Sequence, residues 1–210
     1  MRTTPKLALT ALTAAALLAS LAGSGSARNF SVTNKNFRAV WTSLTFREPF
    51  EFFNVRCNVT MEGSFHENTI PKVLESLIGY VTRAVFSHPC TGGEGWAWNG
   101  TEGALTGASS LPWHIRYQGF TGTLPNISTI GITLVRPKFS INSGVCLGTY
   151  QPATQRYILN IAAGRTTTTR ADETQISRPV EGNCPEGGFR GTSNTVTLLG
   201  TTSAISISLI

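Results

Sequence analysis

Only one of the 210 residues is an aspartate, Asp172, and Asp and Glu together number 11. A calcium loop of the EF-hand kind needs several acidic oxygens close together, so that class is excluded, as is any mechanism requiring two aspartates. A Ser-His-Asp triad would have to recruit Asp172 from Arg170-Ala171-Asp172-Glu173, a polar stretch that reads as a loop tip. Histidine is limited to His66, His88 and His114, which lie in separate segments without ligand spacing. His66-Glu67 opens an HExxH pattern, but Ile70 stands where the second zinc ligand belongs. There is no CxxC pair and no Gly-rich loop followed by Lys and Ser/Thr, which excludes a P-loop. Gly107-Ala108-Ser109-Ser110-Leu111 lacks the second glycine of a nucleophile elbow. The expectation is a protein with no catalytic residue, metal or cofactor.

Charge is also scarce, at 13% of residues, with Lys and Arg numbering 17 and a formal net charge of +6. The basic residues are scattered singly, Arg47, Arg56, Arg83, Arg116, Arg136 and Arg156 among them. No basic block marks a nucleic-acid arm or a polybasic membrane patch.

Long apolar runs are absent except at the start. Arg2 and Lys6 precede an Ala/Leu-rich stretch from Leu7 to Leu21. Ser20-Leu21-Ala22 and Gly25-Ser26-Ala27 then supply the small residues a signal peptidase reads. Residues 1–27 therefore read as a signal peptide, and 28–210 as one secreted β domain with no integral membrane insertion after cleavage. The product is expected outside the cell or on its surface. In that oxidising setting Cys57, Cys90, Cys146 and Cys184 read as two disulfides. Three connectivities are possible; Cys57–Cys90 with Cys146–Cys184 is favoured because each pair staples one half of the chain.

What is abundant is β pattern. Residues 55–65 alternate apolar Val55, Cys57, Val59, Met61 and Phe65 with polar Arg56, Asn58, Thr60, Glu62 and Ser64. Similar alternation marks strands around 111–117, 130–134, 157–161 and 205–209. Residues 40–46 and 50–53 suggest two further strands turned at Glu48-Pro49. Asn99-Gly100 suits a two-residue hairpin, and Pro125-Asn126 and Asn142-Ser143-Gly144 mark other turns. Residues 70–85 conflict. Ile70, Val73, Leu74, Leu77 and Ile78 fall at helical spacing behind Thr69 and Pro71, whereas Tyr80, Val81 and Thr82 favour a strand. The compromise is a helical turn at about 70–76 and then a strand at 77–86, with a continuous helix over 70–85 as the close alternative. The fold class is all-β and mainly antiparallel, a sandwich or a barrel with at most one short helix.

The leading ligand-site candidate is Gly93 to Glu102. Trp96 and Trp98 would share one face of a hairpin arm as sugar-stacking platforms, with Glu94, Asn99 and Glu102 available to hydroxyls. Trp41 and Trp113 read as core. Glu62, Glu94 and Glu102 would be the carboxylates of a glycoside hydrolase, were the protein an enzyme. Asn29, Asn58, Asn99 and Asn126 begin N-x-S/T sequons, a number close to chance in so Ser/Thr-rich a chain.

Met61-Glu-Gly-Ser-Phe-His66, Leu77-Ile-Gly-Tyr-Val-Thr-Arg-Ala84, Leu111-Pro-Trp-His-Ile-Arg-Tyr117 and Phe120-Thr-Gly-Thr-Leu-Pro-Asn126 together resemble stretches of secreted actinobacterial proteins without an assigned activity. The resemblance implies secretion and a compact disulfide-bearing domain, and carries no catalytic residue across. The sequence thus predicts an exported, non-enzymatic binding or structural domain of the cell envelope, with a polysaccharide or another envelope protein as partner. The competing expectation is a protein-interaction module that offers the strand Ser203 to Ile210 as a sheet edge.

Overall fold

The computed structural model describes residues 29–50, 52–98 and 111–210. Among these the chain forms strands and no helix. In the first half they are β1 (Asn29–Val32), β2 (Asn36–Arg47), β3 (Asn54–Phe65), β4 (Thr69–Pro71), β5 (Leu77–Thr91), β6 (Glu94–Ala97), β7 (Trp113–Thr123) and β8 (Asn126–Val135). The second half adds β9 (Phe139–Asn142), β10 (Leu147–Tyr150), β11 (Thr154–Ala162), β12 (Arg165–Ala171), β13 (Pro179–Gly182), β14 (Gly188–Arg190), β15 (Thr195–Leu198) and β16 (Ile207–Leu209).

The long strands make one antiparallel sheet in the order β12-β11-β8-β7-β5-β3-β2-β14, and β15 pairs with β2 beyond β14. Its ends almost meet. The Ser193 N–H donates to the Thr169 carbonyl at 2.7 Å and the Ala171 N–H to that of Gly191 at 3.0 Å. On the other side of this seam the Asn194 N–H donates to the Val40 carbonyl at 2.7 Å. The 191–194 segment thus links β12 to β2, and the sheet curls into a nearly closed barrel. Closure satisfies backbone groups that an open sheet would leave on its edges.

Period-two alternation decides which side chains enter the barrel. On β3 the apolar residues Val55, Cys57, Val59, Met61 and Phe65 are buried, whereas Asn54, Arg56 and Asn58 between them are exposed. Trp41 and Trp113 are buried in the same core, as expected. Two small sheets pack on the barrel. In one, β16-β1-β4, the fully buried Phe30 meets Phe120 edge-on at 5.6 Å. The other, β13-β10-β9-β6, sends Phe139 and Tyr150 onto Phe46 and Phe189 of the barrel, with Phe46–Tyr150 at 4.7 Å and Phe139–Phe189 at 4.6 Å. Burying each such ring stabilises by about 1.5–3 kcal/mol.

Both disulfides have the favoured pairing. Cys57–Cys90 joins β3 to β5, and Cys146–Cys184 ties the start of β10 to the chain after β13. Two local expectations are corrected. Phe50, Phe52 and Phe53 belong to no strand, because the buried Glu48 carboxylate accepts the N–H groups of Phe50, at 2.8 Å, and of Phe52. These bonds curl the backbone away from a ladder. Residues 70–76 form no helical turn: Ile70 is buried opposite Phe30 in β4, and Glu75 adopts a positive φ of 63°. Val73 and Leu74, the supposed helical face, are exposed. The strand expected at 77–86 continues to Thr91.

Candidate functional site

The outer face of the barrel carries two cross-strand rows of charge that chain order conceals. In the first, pairing sets Arg38 of β2 opposite Glu62 of β3, and Glu62 opposite Arg83 of β5. Glu62 receives Arg38 at 2.7 Å and Arg83 at 3.4 Å, so this row contains its own counter-ion. In the second, Arg190 of β14 lies opposite Thr45 of β2, and Thr45 opposite Arg56 of β3. Here a threonine occupies the centre, where the first row has a carboxylate.

Arg47, two residues beyond Thr45 on the same face, completes this second cluster. Neighbouring strands lie about 4.8 Å apart, so Arg56 and Arg190 leave β3 and β14 about 10 Å from each other, with Arg47 diagonal to both. Arg47, Arg56 and Arg190 line a surface cleft of about 350 Å³ together with Ser43, Thr45, Asn54 and Gly191. A second cleft of about 170 Å³ shares Arg47 and Arg190 and adds Glu173. Glu173 bonds Arg190 Nε at 3.2 Å. Glu48 also borders the second cleft, but its carboxylate serves the turn behind it. Arg47, Arg56 and Arg190, the last held by Glu173, thus stand among hydroxyl and amide neighbours in an arrangement chemically suited to an anion that also carries hydroxyls.

The tryptophan candidates lie elsewhere. β6 pairs with β9, placing Glu94 opposite Asn142 and Trp96 opposite Ser140. Trp98 is 9% exposed; its indole N–H donates to Ser140 Oγ at 2.9 Å, and Lys138 Nζ sits 3.7 Å from its ring centre. Ser140 in turn shares a 2.9 Å hydrogen bond with the buried Thr149 hydroxyl. Trp98 is thus embedded, with a cation on one face. Trp96 is half-buried, its ring centre 6.1 Å from that of His88, and Glu94 is exposed. Asn99 and Glu102, with the expected Asn99-Gly100 hairpin, lie outside the described residues. Of the three glutamates weighed for hydrolysis, Glu62 is the one held by Arg38 and Arg83.

His66, His88 and His114 are exposed on different strands or loops, and no group of three or more His, Cys, Asp or Glu among the described residues is placed to hold a metal. The C-terminal β16 pairs with β1 on one side, while Ile207 N–H donates to the Gly164 carbonyl at 2.7 Å on the other. No helix among the described residues is long and apolar enough to cross a membrane.

Sequence reasoning missed the arginine cleft because its members are distant in the chain. Arg56 was legible as a polar-face residue of a strand, but nothing local shows that Arg190 lies two strands away. The one available signal was Gly188-Phe189-Arg190, an inward aromatic beside an outward cation. No protein-family model matches the chain, and no curated protein or solved structure is significantly similar to it.

Proposed function

We propose that this chain is an exported, non-enzymatic binding protein of the extracellular space or cell surface, and that it holds anionic polysaccharide in the Arg47–Arg56–Arg190 cleft. The observation that carries this reading is the second cross-strand row, in which cations converge around a threonine instead of a carboxylate. Two disulfides and the Ala/Leu-rich leader behind Arg2 and Lys6 support export. Ser43, Thr45 and Asn54 offer partners for sugar hydroxyls between the guanidinium groups. Among the described residues that line the cleft none is an aromatic on which a base could stack, which favours a sugar polymer over nucleic acid.

Native gels cast with polygalacturonate, with neutral dextran, or with neither test the reading directly. The secreted protein should be retarded by polygalacturonate alone, and an excess of duplex DNA should not release it. Equal mobility in all three gels would refute the proposal. Retardation that DNA abolishes would reassign the cleft to general polyanion binding. Amino-terminal sequencing of the secreted form should begin at Arg28.

A further inference from the structure

Phe50 and Phe52 are 72% and 83% exposed, and no other Phe, Tyr or Trp among the described residues is exposed. Their ring centres lie 6.1 Å apart, so the two make one apolar tip on the connection between β2 and β3. Phe53, the next residue, packs on the core, and neither of these does. Glu51, which separates them in sequence, lies outside the described residues.

The tip is anchored from beneath. The carboxylate of the fully buried Glu48 accepts the N–H of Phe50 at 2.8 Å and also that of Phe52. The backbone at both residues is thereby tied to the barrel, and the rings are left to solvent.

Cations stand at its base. The β2–β3 ladder ends at the pair Arg47–Asn54, and both residues line the larger cleft with Arg56 and Arg190. Glu48 and Pro49 line the smaller cleft with Arg47, Arg190 and Ile176, itself 53% exposed. Phe50 follows Arg47 by three residues and Phe52 precedes Asn54 by two. Chain geometry therefore keeps their Cα atoms within about 11 Å of that pair. The basic residues are dispersed in sequence, and strand pairing brings them to one side of the aromatic tip.

Peripheral attachment to a membrane generally takes two signals, an apolar insertion and a basic patch, because one alone holds only marginally. Both are present here. Arginines beside the tip select a surface that is anionic outside and apolar beneath, which is the chemistry of a bilayer of acidic lipids. We propose that Phe50 and Phe52 form a peripheral membrane anchor, entering the boundary between headgroups and acyl chains while Arg47, Arg56 and Arg190 meet anionic headgroups. This goes beyond the polysaccharide reading: it shares the arginines but depends on the rings, which that reading does not use.

The mature protein is sedimented with vesicles of phosphatidylcholine alone and of equal parts phosphatidylcholine and phosphatidylglycerol. It should bind the anionic vesicles only. Losing one buried ring weakens attachment about tenfold, so the Phe50→Ser/Phe52→Ser double variant should bind them about a hundredfold more weakly. Because both side chains are exposed, that variant should keep the parental melting temperature and its retardation by polygalacturonate. In Phe52→Trp, the emission of the added indole should shift to the blue on anionic vesicles and be quenched by brominated acyl chains. No binding to anionic vesicles, equal binding to both kinds, or parental vesicle affinity in the double variant would overturn the anchor. Loss of polygalacturonate retardation in the double variant would also overturn it, by placing the rings in the polymer site. Vesicle binding by a protein that polygalacturonate does not retard would support the anchor and refute the polysaccharide reading alone.

Discussion

At the residue scale, the most consequential side chain outside the cleft is Glu48. It is fully buried, and its two oxygens hold the N–H groups of Phe50 and Phe52, fixing the turn between β2 and β3. Glu48→Ala strands those donors and should cost about 1–3 kcal/mol in denaturant unfolding. Because this turn borders the cleft, the variant should also weaken polysaccharide binding. Asp172 makes a pH-dependent contribution. Partial burial pushes its carboxyl upward, but hydrogen bonds from the Thr174 hydroxyl and N–H and the charges of Arg156 and Arg170 outweigh that and hold it below its ordinary value. The folded state therefore favours the ionised form. The resulting stability is present above the unfolded-state value of about 3.9 and is lost as pH falls through the folded one. Asp172→Asn should melt lower than the parent near pH 7, and the gap should close on acidification.

At the scale of elements, strand alternation was the part of the fold most legible in sequence. β3 runs from Asn54 to Phe65 with the apolar residues inside, as its pattern requires. The errors came where one local group or one distant partner overrode the pattern. Glu48 took up the N–H groups of Phe50 and Phe52, and Phe30, forty residues away from Ile70, drew that residue into β4. Register was not legible, and register makes the cleft: it sets Arg190 and Arg56 on either side of Thr45. A close approach between β3 and β5 gives a test of this pairing. A Cβ on Gly63 would lie 2.3 Å from the Tyr80 carbonyl oxygen and 2.5 Å from the Phe37 ring. Gly63→Ala should therefore destabilise by about 1–3 kcal/mol, measured by chemical denaturation. Parental stability would contradict the register.

At the scale of the whole molecule, a barrel whose seam is closed by the 191–194 segment is reinforced by two covalent ties. They span sequence separations of 33 and 38 residues. Chain-entropy arguments assign each about 4 kcal/mol. Reduction under native conditions should lower the melting temperature markedly, and losing both bridges should cost more than losing either alone. The cysteine pairing was anticipated from loop economy. A barrel was one of the two architectures expected; the choice between barrel and sandwich was not legible, because it depends on hydrogen bonds between β12 and residues 191–193 that no local pattern encodes.

The central claim is that strand pairing converts scattered arginines into one anion-binding face. Titration calorimetry of polygalacturonate into the mature protein and into Arg47→Gln, Arg56→Gln, Arg190→Gln and their triple variant, at low and high salt, tests it most directly. Each single change should weaken binding roughly tenfold, the scale of a lost charge-assisted hydrogen bond. The triple variant should show no measurable binding, and high salt should weaken the parent. Undiminished affinity in the folded triple variant, or affinity indifferent to salt, would contradict the account.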